Sequence, residues 1–348
     1  MKNYRHKTIS FTGNGAELLN IFKDKPYVFL LESSLQHKAL GRYSFVGFEP
    51  FEIVRGSGLG SLSELRKKFA RYAHPEKHPL TPFPGGVLGY LGYDLGLELE
   101  KINVRRKDDL PVPQVLFGFY NTILTIDHFF KKLHVTSSDK SCRIDNILDI
   151  VTEGLSKAQD AFNIPAKGSL RLKSDLSAIQ YRKAVQKALS YIREGDIYQV
   201  NLAQRFSTGS LSHARDVHAF ELYRALRRRS PSSFSSYLDA KDFQIISSSP
   251  ERFLSKQGKF LQTRPMKGTR PRGRNSMQDK KERKDLLLSA KDKAELLMIT
   301  DLERNDLGRV CEYGSIKVKN MRTIETYASV FQATSTVEGV VKKGADVF

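Results

Sequence analysis

Apolar and polar positions alternate in short runs through the first half of the chain. Tyr27 to Glu32 (YVFLLE), Tyr43 to Phe48 (YSFVGF) and Phe51 to Arg55 carry the two-residue period of strands, separated by Gly41-Arg42 and Glu49-Pro50. Leu116 to Ile126 and Lys132 to Thr136 continue that pattern. The period lengthens at Leu62, Leu65, Phe69 and Tyr72, which predicts a helix over Leu62 to Tyr72, and a second helix is expected over Arg143 to Phe162. Polar, irregular sequence around that second helix places a domain seam near Ala166-Lys167-Gly168, giving regions 1–165 and 166–348.

Beyond the seam the first signal is helical. Ser177 is a plausible N-cap, Tyr181, Val185, Ala188 and Ile192 form one stripe, and Gly195 ends the helix. Asp196 to Phe206 alternates like a strand; a helix over Ala214 to Arg228 and a strand over Phe234 to Leu238 follow. Asp242 to Ser249 and Lys259 to Arg264 read as the arms of one hairpin turned at Gln257-Gly258. Ser289-Ala290-Lys291-Asp292 has the spacing of a capping box for a helix over Ala290 to Leu302. Asp301 to Arg309 then reads as a polar turn in which Asn305-Asp306 ties the backbone. Short, hairpin-linked strands with interspersed helices point to an α+β fold with antiparallel sheet and away from a doubly wound one.

Composition narrows the class. The chain has 348 residues, 40% of them hydrophobic, with a mean hydropathy of −0.41, as expected of a globular protein of one large or two medium domains. No apolar run reaches the roughly 18 residues that span a bilayer, and no secretory signal follows the N-terminal charges, so a cytoplasmic location and no membrane partner are expected. Cys142 and Cys311 lie far apart without CxxC or histidine company, as ordinary reduced thiols would. The net charge of +19 is scattered, with short clusters at Arg227 to Arg229 and Arg270 to Arg274. A nucleic-acid binder would concentrate it in an arm or stripe; this distribution fits small anionic substrates or simple solubility better.

Three places carry candidate chemistry. Glu251 and Lys267 lie just beyond the two arms of the predicted hairpin, where one pocket can receive both; an ordinary surface ion pair would look the same. Gly268-Thr269 follows, where glycine lets backbone approach a ligand. Glu295 shares a helical face with Met298, Ile299 and Leu302, which makes it either a ligand for a hard cation such as Mg2+ or a glutamate whose stem lies along the stripe. The glycine-crowded stretch Pro82 to Asp94 lacks the GK[ST] of a phosphate loop and is read as close backbone packing.

Taken together, these motifs resemble the chorismate-utilising enzymes, in particular component I of aminodeoxychorismate synthase and of anthranilate synthase. The matching pieces are LLES at Leu30 to Ser33, GRYSFVGFEP at Gly41 to Pro50, GGVLGYLGYD at Gly85 to Asp94, GDIYQVNLAQRF, SSSPERFL, TRPMKGTRPRG, and ELLMITDLERNDLGRV at Glu295 to Val310. The resemblance implies large antiparallel sheets with helices outside and a central cleft for chorismate and a magnesium ion. It implies that Glu251 is the general acid that protonates the leaving hydroxyl, that Glu295 is one of two magnesium-binding glutamates, and that Gly268 and Thr269 line the substrate. Lys267 stands where anthranilate synthases typically read PIAGT, which resembles a branch of aminodeoxychorismate synthases in which the lysine attacks the ring and ammonia then displaces it. A lysine that merely anchors a substrate carboxylate is the alternative. Ammonia would come from a separate glutamine amidotransferase.

The resemblance also has departures. Past Asp346-Val347-Phe348 the family would continue with a GGSITGAPK-like segment, expected to supply the second magnesium glutamate and a carboxylate-binding arginine. Gln332 stands where relatives often carry histidine, and it cannot carry a proton near neutral pH. Ser233 replaces a proline of an SPxPY-like segment whose neighbours contact tryptophan in relatives. With Ser33, Arg42, Tyr43, Ser44, Phe234 and Ser235 it implies a tryptophan pocket, regulatory or structural.

Overall fold

Each strand run needs a partner for its backbone N–H and C=O groups, and the arrangement of those partners sets the architecture. The computed structural model describes residues 4–34, 41–72, 78–103, 109–157, 172–208, 219–327, 329–346 and 348. They fall into two units, one of residues 1–159 with 222–348 and one of residues 160–221. The larger unit is built of antiparallel sheets with helices, an α+β fold. No described helix is long and apolar enough to cross a membrane.

In the larger unit the chain begins with β1 (Arg5–Ser10), α1 (Gly15–Phe22), β2 (Phe29–Glu32), β3 (Tyr43–Gly47), β4 (Glu52–Gly56), α2 (Gly58–Tyr72), β5 (Gly86–Leu91) and α3 (Leu95–Leu99). It continues with β6 (Val115–Tyr120), β7 (Thr122–Asp127), β8 (Lys132–Ser137) and α4 (Ile144–Lys157). The smaller unit holds β9 (Leu172–Ser174), α5 (Ala178–Glu194) and β10 (Phe206–Thr208), with β9 and β10 paired antiparallel. After α6 (Ala219–Arg229), at the border of the units, come β11 (Phe234–Asp239), β12 (Gln244–Ser249), β13 (Ser255–Gln257), β14 (Phe260–Thr263) and β15 (Met266–Pro271). α7 (Ser276–Leu288), α8 (Ala290–Val310), β16 (Lys317–Thr326) and β17 (Val330–Val340) complete it.

Three sheets organise the larger unit. A seven-stranded sheet runs β1-β8-β7-β3-β2-β11-β12, a three-stranded sheet β4-β6-β5, and a five-stranded sheet β13-β14-β17-β15 with β16 on the other side of β17. Phe29, Leu116, Tyr120, Ile123 and Leu238 form a core shared by the first two sheets. Leu261, Leu307, Cys311, Val337 and Val341 seal α8 onto the five-stranded sheet, and Leu286, Leu296, Ile324, Phe331 and Ala333 add α7. The glycine stretch packs backbone on backbone: a Cβ at Gly89 would lie 1.9 Å from the Leu116 carbonyl oxygen, so β5 approaches β6 only because that position is glycine.

Several sequence expectations hold and several do not. Ser177 caps α5 and Gly195 closes it at φ +83°, and Ser289 caps α8 through the Asp292 N–H at 3.2 Å. The Asp242–Arg264 hairpin does not form. β12 turns back on β11 through Lys241 (φ +73°), and Pro250, which has no N–H, ends the ladder; Gly258 (φ +58°) serves a smaller hairpin of β13 and β14 in another sheet. Leu116 to Ile126 is two strands in two sheets, divided at Asn121. Asp196 to Arg205 alternates without pairing, and Tyr198 stands 90% exposed; only Phe206–Thr208 is strand. α8 does not break near Leu302 but runs through Asn305 and Asp306 to Val310, because Leu307 continues the buried stripe of Leu296 and Thr300. The seam near Ala166 and the ends of two predicted helices (158–162 and 214–218) lie outside the described residues.

Candidate active site

The site grows from one edge of β17. β14 pairs with Thr263 opposite Val337, and β15 pairs with Met266 opposite Thr334, so the two strands lie end to end along the same neighbour. Pro265, between them, donates nothing to the ladder, but its carbonyl accepts the Ser335 N–H at 3.1 Å. Lys267 pairs with Ala333 and Thr269 with Gln332, which leaves Gly268 as the extra residue of a bulge. Gly268 has φ +80°, and a Cβ there would meet Asp292 and Leu286 at 2.9 Å; glycine is required on both counts. The bulge breaks the regular alternation between Lys267 and Thr269.

Glu251 sits in the irregular segment between β12 and β13, and its Oε1 accepts the Met266 N–H at 2.8 Å. That bond brings the carboxyl to the backbone immediately before Lys267, so the two residues that the absent hairpin was expected to unite lie near each other by another route. Glu251 is exposed at its rim, yet burial of the carboxyl raises its pKa above the ordinary glutamate value, against the opposing pull of the Met266 N–H and the Lys267 charge. Burial that favours the acid form of a carboxyl near an amine is what general-acid chemistry uses. Gln332 Nε2 reaches Thr269 Oγ1 at 3.5 Å, while its buried Oε1 has no partner among the described residues.

α8 contributes the remaining carboxyls. Its buried stripe is Asp292, Leu296, Thr300 and Leu307, with Glu295, Ile299 and Glu303 half-buried beside it; Met298 and Leu302 face outward, contrary to the expected stripe. The longer helix shifts which positions count as inner. Glu295 makes only a loose contact with Lys291 at 3.8 Å, whereas Asp292 is committed to Arg270 at 2.7 Å. Among the described residues no three His, Cys, Asp or Glu side chains gather as a metal cage. Magnesium fits sites of one or two carboxylates completed by water and substrate oxygens, and Glu295 offers one such carboxylate.

Sequence reasoning missed Glu303, whose Oε2 is 2.8 Å from Thr263 Oγ1. Burial raises its pKa, and Glu251 and Asp306 add to the rise, against Thr263 and Lys267. An acid eight positions beyond Glu295 would have been found had the helix been carried past Leu302. Also missed was Glu325, buried with Arg264, Tyr327 and Thr334 behind the same strands.

The residues of the expected tryptophan pocket gather at the ends of adjacent strands β3, β2 and β11. Ser44 Oγ bonds His128 Nε2 at 2.7 Å, and Ser235 Oγ meets Ser34 at 2.9 Å and Ser232 at 2.8 Å. Arg42 grips Asp127 at 2.8 Å and covers the Tyr43 ring at 4.7 Å; Arg252 covers Phe234 at 5.6 Å. Ser33 is buried, and Ser233 Oγ is buried with no partner among the described residues.

An α+β frame thus sets the Glu251 carboxyl against the backbone next to Lys267, on a strand bulged at Gly268. The chain belongs to the chorismate binding enzyme family, which it matches over residues 28–348. Anthranilate synthase component 1 of Thermus thermophilus is 37% identical to it over 340 residues, 94% of this chain and 72% of that protein. Aminodeoxychorismate synthase component 1 of Bacillus subtilis is 34% identical over 333 residues, 88% of this chain and 68% of that protein. The crystal structure of anthranilate synthase component I from Streptococcus pneumoniae superposes with a TM-score of 0.71 at 27% identity, covering 89% of this chain and 72% of that one. The chain is thus a chorismate-utilising enzyme of the anthranilate and aminodeoxychorismate synthase type.

Proposed function

We propose that this chain converts chorismate and ammonia to 4-amino-4-deoxychorismate, as the name of the Bacillus subtilis relative indicates for that protein. The observation that carries the reading is Glu251 bonded to the Met266 N–H, adjacent to Lys267, with its carboxyl pKa raised by burial. The Lys267 nitrogen forms a bond to the ring as the bond to the 4-hydroxyl breaks, and Glu251 gives its proton to that hydroxyl, which leaves as water. Ammonia then adds at the 4-position and the lysine departs. A glutamine amidotransferase partner supplies the ammonia. Glu295 would hold a magnesium ion that neutralises a substrate carboxylate, and Gly268 and Thr269 line the ring.

Anthranilate formation is the second reading, favoured by the Thermus thermophilus relative; that reaction also eliminates pyruvate and aromatises the ring. Incubation with chorismate, magnesium and ammonium, followed by chromatographic identification of aminodeoxychorismate or anthranilate, decides between them. Lys267→Ala with undiminished aminodeoxychorismate production removes the covalent role. We further propose tryptophan as a ligand near Ser233, whose buried hydroxyl lacks a partner among the described residues; calorimetric titration of the protein and of Ser233→Ala with tryptophan tests it.

A further inference from the structure

Glu303 is a carboxyl that the reaction above does not use, and its surroundings count protons. The Thr263 hydroxyl, only 4% of its residue exposed, lies 2.7 Å from the Phe253 carbonyl oxygen and 2.8 Å from Glu303 Oε2. A hydroxyl has a single proton to give, and a carbonyl can only accept. If Thr263 donates to Phe253, a carboxylate at Glu303 would face the hydroxyl oxygen with no proton between them. A neutral Glu303 removes the conflict by donating to Thr263, which donates onward to Phe253. Phe253 lies two residues past Glu251 in the irregular segment between β12 and β13, and the residue is 87% exposed, so its backbone carbonyl rather than its side chain is what the protein holds.

We propose that Glu303, as the neutral acid, is a positioning residue: through Thr263 and the Phe253 carbonyl it clasps the segment bearing Glu251 onto α8 and β14. The kinetic consequence rests on the role given to Glu251 above; the proton and the clasp do not. The groups facing Glu303 are Glu251 from the segment, Asp306 from its own helix and Lys267 from β15; burial and the two acids favour the neutral form, and Thr263 and the lysine oppose it. Ionisation as pH rises removes the first donor of the chain, so the clasp opens on the alkaline side.

Two measurements need no substrate. Infrared difference spectra between the wild type and Glu303→Gln at about pH 5.5, roughly a unit above an ordinary glutamate, should show the loss of a protonated carboxyl band; loss of a carboxylate band instead overturns the proposal. Hydrogen–deuterium exchange over residues 250–254 should quicken in Thr263→Val and return to the wild-type rate in Thr263→Ser, and unchanged exchange in Thr263→Val refutes the clasp. Where turnover is measurable, Thr263→Val should lower kcat by up to about tenfold with KM little changed, the scale of one lost hydrogen bond. Glu303→Gln, whose amide still donates, should stay within about twofold of wild type on the same scale. A Glu303→Gln variant as impaired as Thr263→Val shows that the residue acts as an anion. Absence of any chorismate turnover would count against the role of Glu251 while the first two measurements still decide the clasp.

Discussion

Glu32 and Glu251 are the same residue in opposite settings. Glu32, 3% exposed in the seven-stranded sheet, receives the Gly15 N–H at 3.0 Å, the Tyr223 hydroxyl at 3.0 Å, and Arg227 at 2.6 and 3.1 Å. Its oxygens are occupied and its charge is matched by Arg227, so it ties α1, α6 and β2 together. The Glu251 carboxyl has one bond among the described residues, from a backbone N–H, and an exposed rim. Burial favours its acid form, and its oxygens keep spare valence. What separates a saturated carboxyl from an open one here is the number of partners the fold leaves unfilled.

Glu251→Gln should lower kcat by about 10²–10⁴-fold, the usual worth of a positioned acid, with no loss of thermal stability; retention of full turnover would remove it from the chemistry. Glu32→Ala should instead leave the half-buried Arg227 charge unpaired and cost about 2–4 kcal/mol in urea unfolding. A stable Glu32→Ala protein with lost activity would reverse the two assignments.

The pH dependence sharpens the same contrast. Because the folded pKa of Glu251 is raised, its acid form persists above the ordinary glutamate range, and the rate should fall only as pH rises through that raised value. For stability the sign is opposite to that of an ion pair: the penalty is absent below the unfolded pKa and grows as pH climbs to the folded one. Glu251→Gln should therefore gain unfolding temperature relative to wild type at neutral pH and not at low pH. Smaller still, Gly268→Ala should cost about 1–3 kcal/mol from its positive φ and its approach to Asp292. Ser289→Ala should lose about 1 kcal/mol from the cap of α8, measured by the same unfolding titration.

Much of the frame was legible in the chain. The capping residues Ser177 and Ser289, the stop at Gly195 and the turn at Gly258 act through bonds to near neighbours, so their residue types are enough to read them. The candidate residues Glu251 and Lys267 were legible as motifs, but the hairpin invoked to join them is not there, because β12 pairs with the nearer strand β11. Glu303 stayed hidden because Asn305-Asp306 reads locally as a turn, and only Leu307 packing on the five-stranded sheet carries the helix past it.

By itself, the sequence determined what short-range chemistry governs: where helices are capped, where glycine must stand, which residues have the right functional groups, and which family the order of motifs resembles. Tertiary structure alone decided which strand pairs with which, how far α8 extends, and which carboxyl is saturated and which is left open. Those outcomes depend on competition between partners distant in the chain, and a local pattern carries no record of which partner wins.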